Sequence, residues 1–279
     1  MTNWQLPTVP LAELLNIYQK FGGTVFNIEE FDIKLDTEVI GRNFIYSDEV
    51  ESTNSVLLNS KEFNQHGTVL LGEFQTKGRG RKERTWVSNA GQNLTFSILI
   101  KNDLKEHKIN LVNLGSSLVV AQALENLFQL NIELKWPNDV LVEKKKIAGI
   151  LLESTSKGSK INRVVIGIGI NVNQPNFPGK FDIQPTSVRK EFKELVSRER
   201  LLSEILNLFE DMLGTWEKEP EKILNDWRNR CKMIGERIKI IDGEKQKSGV
   251  FNDIDEDGFL VLKIADKLEK IHFGDVSLR

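Results

Sequence analysis

The stretch RVVIGIGINV, residues 163–172, is apolar from Val164 to Ile170 apart from two glycines, and it shows no polar alternation. Its length is far below the roughly 20 residues that a bilayer span needs. An apolar run this short reads as a central strand buried on both faces. Its glycines do not make a dinucleotide fingerprint, because GIGIN at 167–171 lacks the third glycine and the following helix. The segments on either side must therefore supply a sheet.

Upstream, IELKW and DVLVEKKKIAGILLESTS (139–156) read as strands, with Glu143-Lys144-Lys145 marking a turn. LVNLGSSLVVAQALENLFQL, 111–130, is the best helix in the chain, and its small-residue patch suits packing against a sheet. Further upstream, NFIYSDEV, GTVLLGEFQT (67–76) and NLTFSILIK (93–101) are strand-like, and the last of them alternates. STNSVLLNSKEF reads as a helix capped by Ser52 or Thr53, and VPLAELLNIYQKF has helical spacing that stops at Gly22-Gly23. Downstream, 174–187 is a proline-containing loop, and SRERLLSEILNLFEDMLGTWEK and PEKILNDWRNRC are helices, with Pro220 suited to a helix start. From about residue 234 the chain becomes short alternating strands, with turns expected at Asp242-Gly243 and Asp257-Gly258. That texture predicts a small β-barrel appended to a larger domain.

The chain has 279 residues, room for one large or two smaller domains at about 100–200 residues each. The formal net charge is −2, so any attraction for an anion must come from local clustering, and a nucleic-acid-binding role is disfavoured. One cysteine, Cys231, excludes an intramolecular disulfide. His66, His107 and His272 have no metal-ligand spacing, and the first twenty residues do not read as a signal peptide. The expected location is cytoplasmic.

Three stretches carry candidate chemistry. QTKGRGRKERTW, 75–86, gathers Lys77, Arg79, Arg81, Lys82 and Arg84 around two glycines. Glycines let backbone N–H groups approach an anion, and guanidiniums match phosphate oxygens, although a solvated loop would look similar. KWPNDV, 135–140, follows a strand end; Lys135 is a candidate oxyanion partner, or Trp136 is core and Pro-Asn-Asp a plain turn. ESTNS, 51–55, holds hydroxyls that cap a helix or read a polar head group. Lys144–Lys146 reads as a solvated hairpin tip, and Glu153 as a carboxylate without a clear role. No Ser-His-Asp or Cys-His set presents itself, so a covalent hydrolase is disfavoured.

The order STN, GEFQTKGRGRKERTW, NLTFSI, KWPNDVLVEKKKIAGILLES, IGIGINVN and PTS resembles the biotin protein ligases, over roughly residues 43–279. The resemblance implies an α+β fold: a mixed-sheet catalytic domain of the class II synthetase type (43–232) and a C-terminal SH3-like barrel (233–279), after an extension (1–42). It implies activation of biotin by ATP with Mg²⁺ to biotinyl-5′-AMP, then transfer to a lysine of a biotin carboxyl carrier domain, by a monomer or homodimer that needs no nucleic acid or membrane. Lys135 and Arg81 would be catalytic. Ser52, Thr53, Asn54, Gln75, Gly78, Arg79, Gly80, Arg81, Lys135 and Gly149 would bind biotin. Arg79, Arg81, Arg84, Trp86, Lys135, Asn138 and Asn171 would bind the nucleotide, with no fixed protein site for a metal. Many members have small residues where this chain has Lys77 and Glu83. Repressor members carry a winged helix-turn-helix for which residues 1–42 are too few. A lipoate ligase sharing the fold, a nucleic-acid binder and an inactive scaffold are the other readings; a greasy pocket would mark the first.

Overall fold

The computed structural model describes residues 4–5, 23–101, 109–157, 160–216, 218–242, 245–272 and 274–278. The helix expected over 9–21, His107 and Gly243 lie outside the described residues.

Eight strands form one mixed sheet: β1 (Trp4–Gln5), β2 (Phe44–Val50), β3 (Val69–Gln75), β4 (Leu94–Ile100), β5 (Ile132–Lys135), β6 (Asp139–Val142), β7 (Lys145–Lys157) and β8 (Lys160–Ile170). The spatial order is β1-β2-β3-β4-β8-β7-β6-β5, so β8 is interior, as its unbroken apolar run requires. β1, β2 and β3 are parallel to one another and the remaining pairs are antiparallel.

Helices cover both faces. They are α1 (Ile28–Lys34), α2 (Thr53–Asn59), α3 (Ile109–Phe128), α4 (Val188–Phe192), α5 (Arg198–Thr215) and α6 (Pro220–Arg230). α2 closes a small core of Ile45, Leu57, Phe63, Leu70, Leu99 and Val165 on one face. α3, α5 and α6 belong to the main core on the other. The small-residue patch of α3 is where its neighbours come close: a Cβ on Gly115 would touch Met212, and Trp227 Nε1 donates to Ser117 Oγ at 3.2 Å. α3 is apolar and long enough to cross a membrane by composition, but two-thirds of that stretch is buried within the fold.

The alternation in β4 has an unexpected meaning. All seven residues are buried. Leu94, Phe96, Ile98 and Ile100 join the main core, while Leu99 joins the smaller one under α2. Thr95 and Ser97, on the same face as Leu99, are therefore buried polar groups rather than solvated ones.

The C-terminal strands β9 (Arg237–Asp242), β10 (Lys245–Ile254), β11 (Leu260–Ile264), β12 (Lys267–Ile271) and β13 (Asp275–Leu278) form an antiparallel SH3-like sheet, ordered β12-β11-β10-β9-β13. The turn at Asp257-Gly258 is present, with Gly258 at φ +81°. It docks on the larger domain, where Trp136 Nε1 donates to Gly258 O at 3.2 Å. Arg228 adds hydrogen bonds to Asp253 Oδ1 and Ile254 O, each 2.8 Å.

One buried ion pair joins distant parts of the chain. Arg198, at the start of α5, donates to both oxygens of Glu73 in β3, at 2.7 and 3.0 Å. The same guanidinium donates to Asn93 O and Thr24 O, and Glu73 accepts from Gly91 N. Both side chains are 1% exposed, so deleting one leaves an uncompensated buried charge. Arg198→Ala is expected to lower unfolding free energy by about 3–5 kcal/mol in denaturant titrations. A loss under about 1 kcal/mol would mean water reaches Glu73.

Cys231, at the end of α6, is buried, and that burial pushes its thiol up to about 11. The folded thiol should resist alkylation at pH 8 and react only on unfolding. Its contribution to stability is complete below the ordinary thiol value of 9.0 and is lost as pH rises toward about 11.

Candidate active site

The site begins with missing side chains. Gly149 of β7 lies opposite Gly169 of β8, and Gly167 lies opposite Leu151 and Ser97. A Cβ on Gly169 would overlap the Trp86 indole, and one on Gly167 would overlap the Asn54 amide. On Gly149 it would crowd Lys146 at 3.1 Å and the Trp86 ring at 3.4 Å. The glycines thus form a trench across two central strands, and the cavity above them measures about 540 Å³.

One end of the cavity is polar. Ser52 caps α2, its hydroxyl accepting from Ser55 N. Thr53 N and Thr53 Oγ1 donate to Gln75 Oε1, at 2.8 and 3.1 Å. Ser97 lies 2.7 Å from Thr53 Oγ1 and 2.6 Å from Asn54 Oδ1. The other end is cationic and aromatic, with Arg81, Arg84, Lys146 and Trp86, and the 174–187 loop adds Phe177 and Phe181 to the wall. Asn138 Nδ2 is held by Ile150 O, which leaves its Oδ1 for Arg81 at 3.3 Å.

The basic loop is folded on itself. Trp86 N donates to Gly78 O at 3.0 Å and Gly80 N to Arg84 O at 2.6 Å, with Lys82 at φ +51° in the turn between them. Gly78 is required because a Cβ there would collide with Trp86 O. Each cation described in the loop has a carboxylate. Lys77 pairs with Glu51, and Arg79 with Glu153 at 3.1 Å. Arg84 meets Asp275 Oδ2 at 2.8 Å and Arg81 meets Asp275 Oδ1 at 3.5 Å. Lys82 donates to Ile241 O at 2.9 Å and lies 3.6 Å from Asp242. Asp242 and Asp275 belong to β9 and β13, so the small barrel holds the loop in place.

The expected site residues Ser52, Thr53, Asn54, Gln75, Arg79, Gly80, Arg81, Arg84, Trp86, Asn138, Gly149 and Asn171 all line the cavity. Gly78 and Lys135 do not. Burial holds the Lys135 ammonium below the ordinary lysine value; Asp139 opposes the shift and Lys146 adds to it. Burial likewise lowers Arg81, against Asp275 and Asp139.

Lys146 is not part of a solvated tip. The turn is made by Glu143 and Lys144, both at positive φ, so Lys145 and Lys146 already belong to β7. Lys146 Nζ sits 2.5 Å from Asp139 Oδ1 and 5.7 Å from the centre of a Trp86 ring. Glu153 also gains a place, accepting from Asn54 and Arg79. Lys135 in β5 and Lys146 in β7 flank β6, and the bulge at Val140/Leu141 breaks the period-two pattern that would have marked the face of Lys146. Asp275 had none. No histidine or cysteine lines the cavity, and no group of three or more metal-ligating side chains occurs among the described residues.

Fold and cavity together define a mixed-sheet domain whose cavity is hydrogen-bonding at one end and cationic at the other, joined to an SH3-like module. Residues 46–171 match the model of the biotin/lipoate A/B protein ligase family, and residues 233–279 match the biotin protein ligase C-terminal domain. The chain is 32% identical to the bifunctional ligase/repressor BirA of Bacillus subtilis over 89% of this chain and 78% of that protein. It is 31% identical to the biotin–[acetyl-CoA-carboxylase] ligase of Mycobacterium tuberculosis over 75% of this chain and 78% of that one. The biotin protein ligase of Aquifex aeolicus, solved with biotin and ATP, superposes with a TM-score of 0.75 at 30% identity, covering 85% of this chain and 99% of that one. This chain belongs to the biotin/lipoate A/B protein ligase family.

Removing Asp275 should release three cations at once. Asp275→Ala is expected to speed tryptic cleavage after Arg79, Arg81 or Arg84 severalfold in the native protein, read by mass spectrometry. Unchanged cleavage would mean the loop is held by its internal hydrogen bonds alone.

Proposed function

We propose that this protein is a biotin–protein ligase, which forms biotinyl-5′-AMP from biotin and ATP and passes biotin to a lysine of a carboxyl carrier domain. The observation that carries the reading is the pairing, in one cavity, of a hydrogen-bonding end with a cationic end. A ureido ring matches Thr53 and Gln75, with Asn54 held behind them; a carboxylate and phosphates match Lys146, Arg81 and Arg84. The dithiolane of lipoate would leave those buried polar groups without a ligand partner, which disfavours lipoate.

The reaction joins two anions, so charge must be screened and the atoms aligned. Biotin's carboxylate oxygen attacks the α-phosphorus and pyrophosphate leaves. In the second step the carrier amine attacks the acyl carbon and AMP leaves. Neither step needs a protein nucleophile, consistent with the lining. Mg²⁺ would travel on the nucleotide phosphates, since the nearby carboxylates Asp139 and Asp275 already face Lys146, Arg81 and Arg84.

Lys146 is the cation we assign to the reacting oxygens, because it lines the cavity beside the glycine trench. Lys135, behind it, tunes the local field. The basic loop is the cover over the anhydride, and its charges must exchange carboxylate partners for phosphates when the ligand arrives. The catalytic unit spans 43–232 and the barrel 233–279; of the segment 1–42 ahead of them, β1 joins the same sheet and α1 packs into the same core.

Incubation with ATP, Mg²⁺, biotin and a biotin carrier domain should give one biotinylated lysine on the carrier. Absence of labelling, with lipoate accepted instead, would overturn the reading. Lys146→Ala should lower biotin-dependent ATP–pyrophosphate exchange by about 10²–10³-fold, and Lys135→Ala by clearly less. The reverse ranking would return the central role to Lys135.

A further inference from the structure

The polar end of the cavity is backed by a hydrogen-bond chain that ends on a carboxylate. Its direction follows from donor and acceptor counting. Asn54 Nδ2 lies 2.9 Å from Leu151 O and 2.8 Å from Glu153 Oε2, two groups that only accept. The amide is therefore fixed, with Oδ1 turned to Ser97 Oγ at 2.6 Å. Oδ1 cannot donate, so the single Ser97 proton is committed to it. Ser97 Oγ can then only accept from Thr53 Oγ1, 2.7 Å away. The other neighbour of the Thr53 hydroxyl, Gln75 Oε1 at 3.1 Å, also accepts. Both routes draw the Thr53 proton into the protein, and its lone pairs face the cavity.

Space for this chain is built in. Gly167 has no side chain where the Asn54 amide sits, and Asn54 and Ser97 are 3% and 0% exposed. At the far end Glu153 is shared with Arg79, whose Nη2 reaches Oε1 at 3.1 Å and Oε2 at 3.2 Å and also donates to Ser55 Oγ at 2.9 Å. Neither Ser97 nor Glu153 lines the main cavity.

We propose that Glu153 is a positioning residue for ligand selection: it anchors a one-way hydrogen-bond chain through Asn54 and Ser97 that keeps Thr53 Oγ1 an acceptor for a ligand N–H. The inference rests on the biotin reading, in which a cyclic urea supplies that N–H. A neutral amide in place of the carboxylate puts a donor against Asn54 or Arg79. If Asn54 turns over to avoid it, Ser97 must donate into Thr53 and fill the acceptor position the ligand uses.

The test is calorimetric titration of biotin into wild type, Glu153→Gln, Thr53→Val and the double variant, with thermal unfolding of each. Glu153→Gln should keep its melting temperature and bind biotin about tenfold more weakly. Adding Glu153→Gln to Thr53→Val should change the affinity by less than about twofold, because the carboxylate acts through that hydroxyl. Thr53→Ala removes the same hydroxyl without a branched side chain, should Thr53→Val fail to fold. Wild-type affinity in Glu153→Gln, or effects that multiply in the double variant, would overturn the proposal. A wild-type protein that binds no biotin would instead sink the biotin reading itself.

Discussion

Everything at the site depends on three side chains being absent. Gly149, Gly167 and Gly169 sit on one face of adjacent central strands, where β-branched residues would otherwise continue the core. Gly167 admits the Asn54 amide, and Gly169 and Gly149 admit the Trp86 indole. The sheet thereby accepts polar and aromatic groups from α2 and from the basic loop, two segments far apart in sequence. The cost is a weakened pair of strands, since glycine packs nothing and loses the most backbone freedom. Placement in the interior of an eight-stranded sheet offsets that cost, because both neighbours of β8 hold long antiparallel ladders.

Charge is arranged on the same principle, with opposition supplied from elsewhere in the fold. The loop is basic, but Glu51, Glu153, Asp242 and Asp275 surround it. Most of these pairs are partly exposed and each is worth little alone. Their use lies in exchangeability. A cation that already has a carboxylate partner can trade it for a phosphate at small net cost, whereas an unpaired one would be drawn to any polyanion. The protein can thus carry a strongly basic segment while its net charge stays at −2.

The fold was legible because hydrophobic period and turn residues agree along the chain. RVVIGIGINV became the interior strand, whereas the small-residue patch of α3, expected against the sheet, meets helices instead: Gly115 faces Met212 of α5 and Ser117 accepts from Trp227 of α6. β4 was legible as a strand but not in its burial, because alternation of apolar with small polar residues does not say whether the polar face meets water or a cavity. The residues that line the cavity near the sheet were legible through the resemblance and through residue type, whereas Gly78 and Lys135, expected with them, do not line it. Asp275 was not, since its contact with Arg84 spans 191 positions and no local pattern marks it. Lys146 was hidden by its neighbours: within a run of lysines, only the two positive-φ residues of the turn decide which one points inward.

The SH3-like barrel therefore does more than add stability. It supplies the carboxylate that Arg81, Lys82 and Arg84 share, and its 257–258 turn is fixed to Trp136, the residue next to Lys135. Movement of the barrel would change the counter-charge of the loop and the seating of the β5–β6 hairpin together. In a reaction that must first hold an anhydride and then admit a carrier lysine, a separate domain touching both the cover and the hairpin is placed to link the two steps. The physical requirement for that link is modest. Three partly exposed ion pairs and one hydrogen bond amount to about 1–4 kcal/mol, small enough for a bound ligand to overcome.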